Sequence, residues 1–127
     1  MKVCVLGTGS LGSTIGGALA KAGNEVHFVG RQAHMDAVNE NGLVMVTPTG
    51  EEVAHPIGHT TPDGIGECDL VIVLCKAFDT KATMEEGKEL VGLHTAVMSL
   101  QNGLGAEDAL SEVVGADHVI GGKTYIG

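Results

Sequence analysis

A glycine-rich segment between an apolar run and a helical pattern is the feature that most restricts the fold of this chain. Residues 7–12 read GTGSLG, after the apolar run Lys2–Leu6 and at the start of a helix-like pattern from Ser10. In a GxGxxG turn the glycines permit a tight turn, approach of a pyrophosphate to the backbone, and close packing of helix on strand. The backbone N–H groups and the positive end of the helix then face the diphosphate. The predicted dinucleotide-binding residues are Gly7, Thr8, Gly9, Ser10, Leu11 and Gly12. The alternative is a tight turn that serves packing alone.

Strand-like and helix-like patterns alternate along the rest of the chain. Strands are predicted at residues 2–6, 25–29, 69–75, 94–100 and 118–121, and helices at residues 10–22, 32–41, 79–91 and 106–114. Residues 43–47 and 52–57 read as two further strands in an antiparallel excursion, because the turn between them is too short for a crossover helix. Residues 58–67 read as a loop, and the run 69–75 is apolar enough for the centre of a sheet. The pattern predicts a single α/β domain over residues 1–127, with a Rossmann-like, doubly wound, mostly parallel sheet.

Charge and composition exclude several classes of partner. The 127 residues carry 7 Lys+Arg against 16 Asp+Glu, a net charge of -9, so no basic field is available for nucleic acid or an anionic membrane. The longest apolar run, residues 70–75, is far shorter than the roughly 18 to 20 residues of a membrane span, and no signal peptide precedes the first strand. We therefore expect a cytoplasmic protein. The three cysteines, Cys4, Cys68 and Cys75, form no CxxC pair and the six histidines show no ligand spacing, so we expect reduced thiols and no metal site.

The residues at the end of the second predicted strand bear on the choice of dinucleotide. An Asp or Glu there accepts hydrogen bonds from the ribose 2′-hydroxyl of NAD. This chain instead has Val29, Gly30 and Arg31, and a guanidinium at that place suits a 2′-phosphate. The sequence therefore favours NADP (NADPH) over NAD. The alternative is that Arg31 is an ordinary solvated surface residue.

Two polar residues follow predicted strands at the edge where open parallel sheets bind ligands. Lys76 follows the run 69–75, and Asn102 follows the strand that ends at Leu100. A lysine there can hold a substrate carboxylate or the nicotinamide ribose, and an asparagine amide can contact both cofactor and substrate. The alternatives are a charged stop to a buried strand for Lys76 and an Asn-Gly turn for Asn102.

Taken in order, these segments resemble the N-terminal half of the ketopantoate reductase (2-dehydropantoate 2-reductase) family. The resemblance rests on residues 7–12, on VGRQAHMDAVNENGLVM at residues 29–45, on VIVLCKAFDT at residues 71–80 and on LQNGLG at residues 100–105, followed by the terminal GGKTYIG. It covers essentially the whole chain. The family reduces a 2-oxo acid, typically ketopantoate to pantoate on the route to pantothenate and coenzyme A, with hydride from NADPH.

The resemblance implies roles for particular residues. Residues 7–12 and Arg31 would hold NADPH, Lys76 and Asn102 would lie beside the nicotinamide and the substrate, and Gly127 would approach the cofactor. The family's catalytic lysine belongs to a helical second domain that is absent here, and neither Lys76 nor Lys123 occupies its position. We therefore expect no catalytic residue within this chain and no activity of the chain alone.

Several expectations follow about the state of the chain. Its end at Tyr125-Ile126-Gly127, without a capping element, leads us to expect a fragment whose apolar surface meets the second domain or is covered in a homodimer. Two alternative functions stay open. One is a free-standing NADPH-binding or sensing module, and the other is a reductase of a different 2-oxo acid.

Overall fold

The computed structural model of the chain describes residues 1–7, 10–74, 80–99 and 106–121. The strands are β1 Lys2–Leu6, β2 Glu25–Val29, β3 Leu43–Thr47, β4 Gly50–Ala54, β5 Ile57–His59, β6 Cys68–Val73, β7 Val91–Ser99 and β8 Val119–Gly121. The helices are α1 Ser10–Lys21, α2 Gln32–Asn41, α3 Thr80–Glu86 and α4 Ala106–Val114. Short 3-10 turns lie at Lys88–Leu90 and Ala116–His118.

Six strands form one parallel sheet in the order β5-β2-β1-β6-β7-β8. From β1 the chain first builds outward through β2 to β5 and then returns to place β6 on the other side of β1, so the order reverses between β1 and β6. The remaining two strands, β3 and β4, form an antiparallel hairpin. The predicted doubly wound α/β fold with an antiparallel excursion is confirmed, and β6 lies in the centre of the sheet as predicted. Among the described helices, none is long and apolar enough to span a membrane.

The central strands are buried on both faces, which explains their continuous apolar sequences. In β1, Val3 and Val5 join the core on one side of the sheet, and Cys4 and Leu6 join the core on the other. Parallel strands covered by helices on both faces have this composition. Large buried side chains of the two cores include Phe28, Met35, Met84, Leu90 and Leu110.

Cys4 is a buried core residue, as predicted for a strand cysteine. A hydrogen bond with the Cys68 thiol, together with burial, raises the pKa of Cys4 far above that of a free thiol. Cys4 therefore stays protonated at neutral pH and packs as a small apolar side chain. Cys75, the other cysteine predicted to lie in a strand, falls outside the described residues.

The prediction for residues 52–67 was wrong at one point. The second hairpin strand ends at Ala54, and Ile57–His59 forms a separate strand, β5, that pairs with β2 at the edge of the main sheet. Three residues with a glycine in the middle give no recognisable strand pattern. Gly58 lets α2 pack closely on β5, because an added Cβ would make a tight contact of 3.1 Å with the Cβ of Met35 on α2.

Three predicted boundaries in the second half also differ. The helix predicted at residues 79–91 ends at Glu86, where the Gly87 N–H donates to the carbonyl groups of Thr83 and Met84, both at 3.1 Å. The next strand accordingly begins at Val91, three residues before the predicted position. The last strand begins after His118, whose Nδ1–H donates to the carbonyl of Thr95 at 2.8 Å.

A chain of hydrogen bonds crosses β2 and β5 on the face away from the hairpin. The Glu25 carboxylate only accepts, so His27 donates Nε2–H to Glu25 Oε2 at 2.7 Å. In neutral His27 the Nδ1 atom then accepts from Nε2–H of His59 at 2.9 Å. These contacts satisfy the buried ring of His27. Within the described ranges, no three His, Cys, Asp or Glu side chains converge to hold a metal ion.

His59 is expected to make the stability of the chain depend on pH. Partial burial and the neighbouring His27 lower the pKa of His59 below its ordinary value of 6.5. The unfolded chain therefore takes up more protons than the folded chain as the pH falls below 6.5, and the free energy of unfolding decreases in that range. Urea unfolding at about pH 7.5 and pH 5.5 should show a larger loss of stability for the wild type than for His59→Gln.

The exposed His55 provides a matched control for this measurement. His55→Gln removes a histidine from the neighbouring connection without touching the pair formed by His27 and His59, so it should retain the pH dependence of the wild type. Equal pH dependence of the wild type and His59→Gln would contradict the prediction.

Candidate functional site

A cavity of about 240 Å³ lies over the carboxyl ends of β1 and β2. Its apolar floor is formed by Leu6 and Val29, the last residues of these two strands. Gly7, Gly30 and Arg31, which follow the strands, line it as well. The cavity is therefore next to the point where the strand order reverses, which is where open α/β sheets bind their ligands.

Gly7 starts the turn from β1 into α1 in a conformation that favours glycine. Its φ is 95°, in the left-handed region, and its N–H still donates to the carbonyl of Val29 at 3.2 Å. The helix then passes so close to the turn that a Cβ on Gly12 would lie 2.5 Å from the carbonyl oxygen of Gly7. The first and third glycines of the motif thus have the structural roles predicted for them.

Arg31 stands at the cavity as an exposed cation. It caps the N-terminal end of α2 in an extended conformation, with φ -72° and ψ 147°, and its carbonyl accepts the N–H of Met35 at 2.9 Å. The preceding Gly30 is fixed by an N–H bond to the carbonyl of His59 at 2.9 Å. Arg31 takes part in no ion pair with another described residue, so its guanidinium is available to an anionic ligand.

The structure brings together part of the predicted site. Gly7 and Arg31 line one cavity, and Gly12 packs against Gly7. Ser10 and Leu11 form the start of α1, as predicted. The other predicted site residues lie outside the described part of the chain, and their roles stay predictions: Thr8, Gly9, Lys76, Asn102 and Gly127.

Four described residues that were not predicted from the sequence also line the cavity. Thr60 and Pro62 come from the connection after β5, and Thr83 and Glu86 come from α3. The i, i+3 spacing of Thr83 and Glu86 places them on one face of the helix, which is a signal the sequence does contain. That this face meets the end of β2 depends on tertiary packing and has no local signal.

Comparisons with known proteins identify the family of this chain and agree with its fold. A family profile described as ketopantoate reductase PanE/ApbA matches residues 3–127. A 2-dehydropantoate 2-reductase of Halobacterium salinarum is 42% identical over all of this chain, which covers 42% of that protein. The crystal structure of 2-dehydropantoate 2-reductase from Geobacter metallireducens is similar with a TM-score of 0.85 and 35% identity, over 95% of this chain and 40% of that chain.

A neighbour with a different name has the same fold. A D-mandelate dehydrogenase solved with NADH and anilino(oxo)acetate has a TM-score of 0.85 and 27% identity, over 97% of this chain and 40% of that chain. The chain thus spans about two fifths of the length of the relatives it matches. The profile match covers the glycine turn, Arg31 and the strands that carry them, so the chain belongs to the ketopantoate reductase (PanE/ApbA) family.

Proposed function

We propose that this chain binds NADPH as the cofactor-binding part of a reductase of 2-oxo acids. The observation that carries the proposal is the cavity shared by Gly7 and Arg31 at the carboxyl ends of β1 and β2. A glycine turn that opens a helix suits a pyrophosphate, and a guanidinium at the next strand end with no ionic partner among the described residues suits a further phosphate. The residues present therefore fit a dinucleotide that carries a 2′-phosphate.

The preference for NADPH over NADH rests on the end of β2. Gly30 and Arg31 stand where an NAD-binding protein has an acid for the ribose hydroxyls. The bidentate donors of a guanidinium match phosphate oxygens, whereas NADH offers Arg31 only neutral hydroxyls. The D-mandelate dehydrogenase solved with NADH has the same fold, so the fold itself does not decide between the two nucleotides.

We infer the substrate from the family to which the chain belongs. Bound NADPH supplies a hydride for the carbonyl carbon of a 2-oxo acid, for which ketopantoate is the expected substrate. Lys76 and Asn102 would hold the carboxylate and carbonyl of this substrate near the nicotinamide. Reduction also requires a proton donor at the carbonyl oxygen, and by resemblance the family's catalytic lysine lies in the helical second domain. This chain alone should therefore bind cofactor without turnover.

We expect few binding partners for this chain besides these small molecules. The net charge of -9 disfavours nucleic acid and anionic membranes, and a cytoplasmic location suits the supply of NADPH and the reduced cysteines. We expect the apolar surface of this chain to contact the family's second domain or another copy of the chain.

Cofactor titration of the 127-residue chain tests the proposal. We expect a dissociation constant for NADPH that is lower than that for NADH by about tenfold or more, because a hydrogen bond to a charged group contributes roughly 1.5 to 3 kcal/mol. The chain has no tryptophan, so the fluorescence of the reduced nicotinamide reports binding without a competing signal.

Two results would contradict the proposal. Equal affinity for NADPH and NADH would show that Arg31 does not select the 2′-phosphate. Absence of binding of either nucleotide would show that the cavity is not a nucleotide site. Ketopantoate and NADPH should give no steady-state oxidation of the nucleotide with this chain. Turnover would show that the proton donor lies among these residues.

A further inference from the structure

Among the described residues that line the cavity, one is acidic, and neither the glycine motif nor the family resemblance assigns it a role. In this part of the chain the charged lining residues are Arg31 and Glu86. Glu86 is exposed, stands at the end of α3 and forms no ion pair with another described residue. Its carboxylate is therefore free to accept hydrogen bonds from a ligand.

Arg31 and Glu86 reach the cavity from different parts of the sheet. Arg31 follows β2, whereas α3 follows β6, and these two strands lie on opposite sides of β1. A carboxylate that binds the ribose hydroxyls of NAD comes from the end of β2. Because Glu86 comes from a different part of the sheet, we expect it to contact a part of the nucleotide other than the ribose hydroxyls.

The chemistry of NADPH identifies that group. The 2′-phosphate and the base are attached to adjacent carbons of one ribose, so a phosphate held by Arg31 places the adenine in or beside the same cavity. Val29 is half-buried and offers apolar surface to a face of the ring, and the buried Leu6 and Pro62 lie beside it. The polar edge of adenine carries an exocyclic amino group, which donates hydrogen bonds, and a carboxylate only accepts them.

We propose that Glu86 accepts a hydrogen bond from the exocyclic amino group of adenine and so selects adenine over bases with a carbonyl oxygen at that position. The inference rests on the proposed NADPH site and adds a residue that distinguishes the base. With hypoxanthine in place of adenine, the carboxylate would face a carbonyl oxygen, and two acceptors would stand without a proton between them. Sites built to hydrogen-bond one group reject an analogue that lacks it.

The probe is reduced nicotinamide hypoxanthine dinucleotide phosphate, compared with NADPH. We expect the wild-type chain to bind NADPH about tenfold or more tightly than the hypoxanthine analogue, because the lost hydrogen bond involves a charged group. In Glu86→Ala the two dissociation constants should become nearly equal. The ratio of the NADPH and NADH dissociation constants should stay as in the wild type, since Arg31 is unchanged.

The neighbouring Glu85 provides a control with the same loss of charge. Glu85 is exposed on α3 and does not line the cavity, so Glu85→Ala should retain the wild-type preference for adenine. This control separates a local hydrogen bond from general repulsion between acidic residues and the phosphates.

Each other outcome has a definite meaning. An adenine preference that survives in Glu86→Ala overturns the inference and leaves the NADPH site intact. A change in the NADPH to NADH ratio in this variant would place the carboxylate at the ribose and also overturn it. Wild-type preference for the hypoxanthine analogue would place Glu86 at the N1–H of that base, with the same consequence. Failure of the wild type to bind NADPH would instead overturn the proposed function.

Discussion

Replacing Arg31 with alanine is expected to weaken NADPH binding by about 10- to 150-fold and to leave NADH binding unchanged. Arg31 lines the cavity at the end of β2 and has no ionic partner among the described residues, so its loss should remove the proposed contact to the 2′-phosphate and disturb little else. NADH lacks this phosphate. Fluorescence titrations of the wild type and Arg31→Ala with both nucleotides give the ratio of the NADPH and NADH dissociation constants for each protein.

Lys21 gives a matched control for the loss of one positive charge. It is exposed in the last turn of α1, at the opposite end of the helix from the glycine turn. Lys21→Ala should bind both nucleotides like the wild type, and the difference between the two variants should become smaller as the ionic strength rises, because salt screens an exposed guanidinium. An unchanged NADPH to NADH ratio in Arg31→Ala would show that the arginine is a solvated surface residue.

The sheet was predictable because its central strands are buried on both faces. The strands KVCVL and EVHFV were predicted at Lys2–Leu6 and Glu25–Val29, and the structure has them there. Glycines inside the first helix also carried information. Gly16 and Gly17 are costly in a helix, which indicates close packing, and a Cβ on Gly16 would collide with the ring of Phe28 on β2.

The elements that the sequence did not predict depend on contacts between distant residues. Strand β5 exists because Ile57–His59 pairs with β2, and three residues are too few to show a period of their own. The early end of α3 falls at Gly87, which packs closely on β1, because a Cβ there would lie 3.1 Å from Cδ1 of Leu6. In each case the deciding neighbour is far along the chain.

The candidate site also combines residues with a local sequence pattern and residues that only the fold brings together. The glycine turn and Arg31 belong to recognisable local patterns, and the structure brings Gly7 and Arg31 to one cavity. Pro62 and Glu86 have no such pattern, because their connections reach the cavity only after β5 and β6 have joined the sheet on opposite sides of β1. Sequence motifs therefore indicated the glycine turn and Arg31, whereas the residues that complete the cavity around them required the fold.

Gly12→Ala is expected to destabilise the chain and to weaken NADPH and NADH binding together, by about tenfold or more. The new Cβ would lie 2.5 Å from the carbonyl oxygen of Gly7, and a backbone atom cannot move aside as a side chain can. The start of α1 must then shift away from the turn. We expect the free energy of unfolding to fall by about 1 to 3 kcal/mol, as for other overpacked positions. Urea unfolding and the two titrations measure these effects.

Gly17→Ala is the matched control, since it makes the same substitution in the same helix. Its Cβ would meet Met45 Sδ at 2.8 Å and Leu43 Cδ2 at 2.9 Å, which are the ends of side chains that can change rotamer. The gain in helix propensity, about 1 kcal/mol, should offset that adjustment, and nucleotide binding should stay as in the wild type. Loss of binding in both variants would trace the effect to the helix as a whole. The pyrophosphate is common to both nucleotides, so a defect at the turn should lower both affinities, whereas a defect at Arg31 should lower only the affinity for NADPH. This contrast separates the two parts of the proposed site.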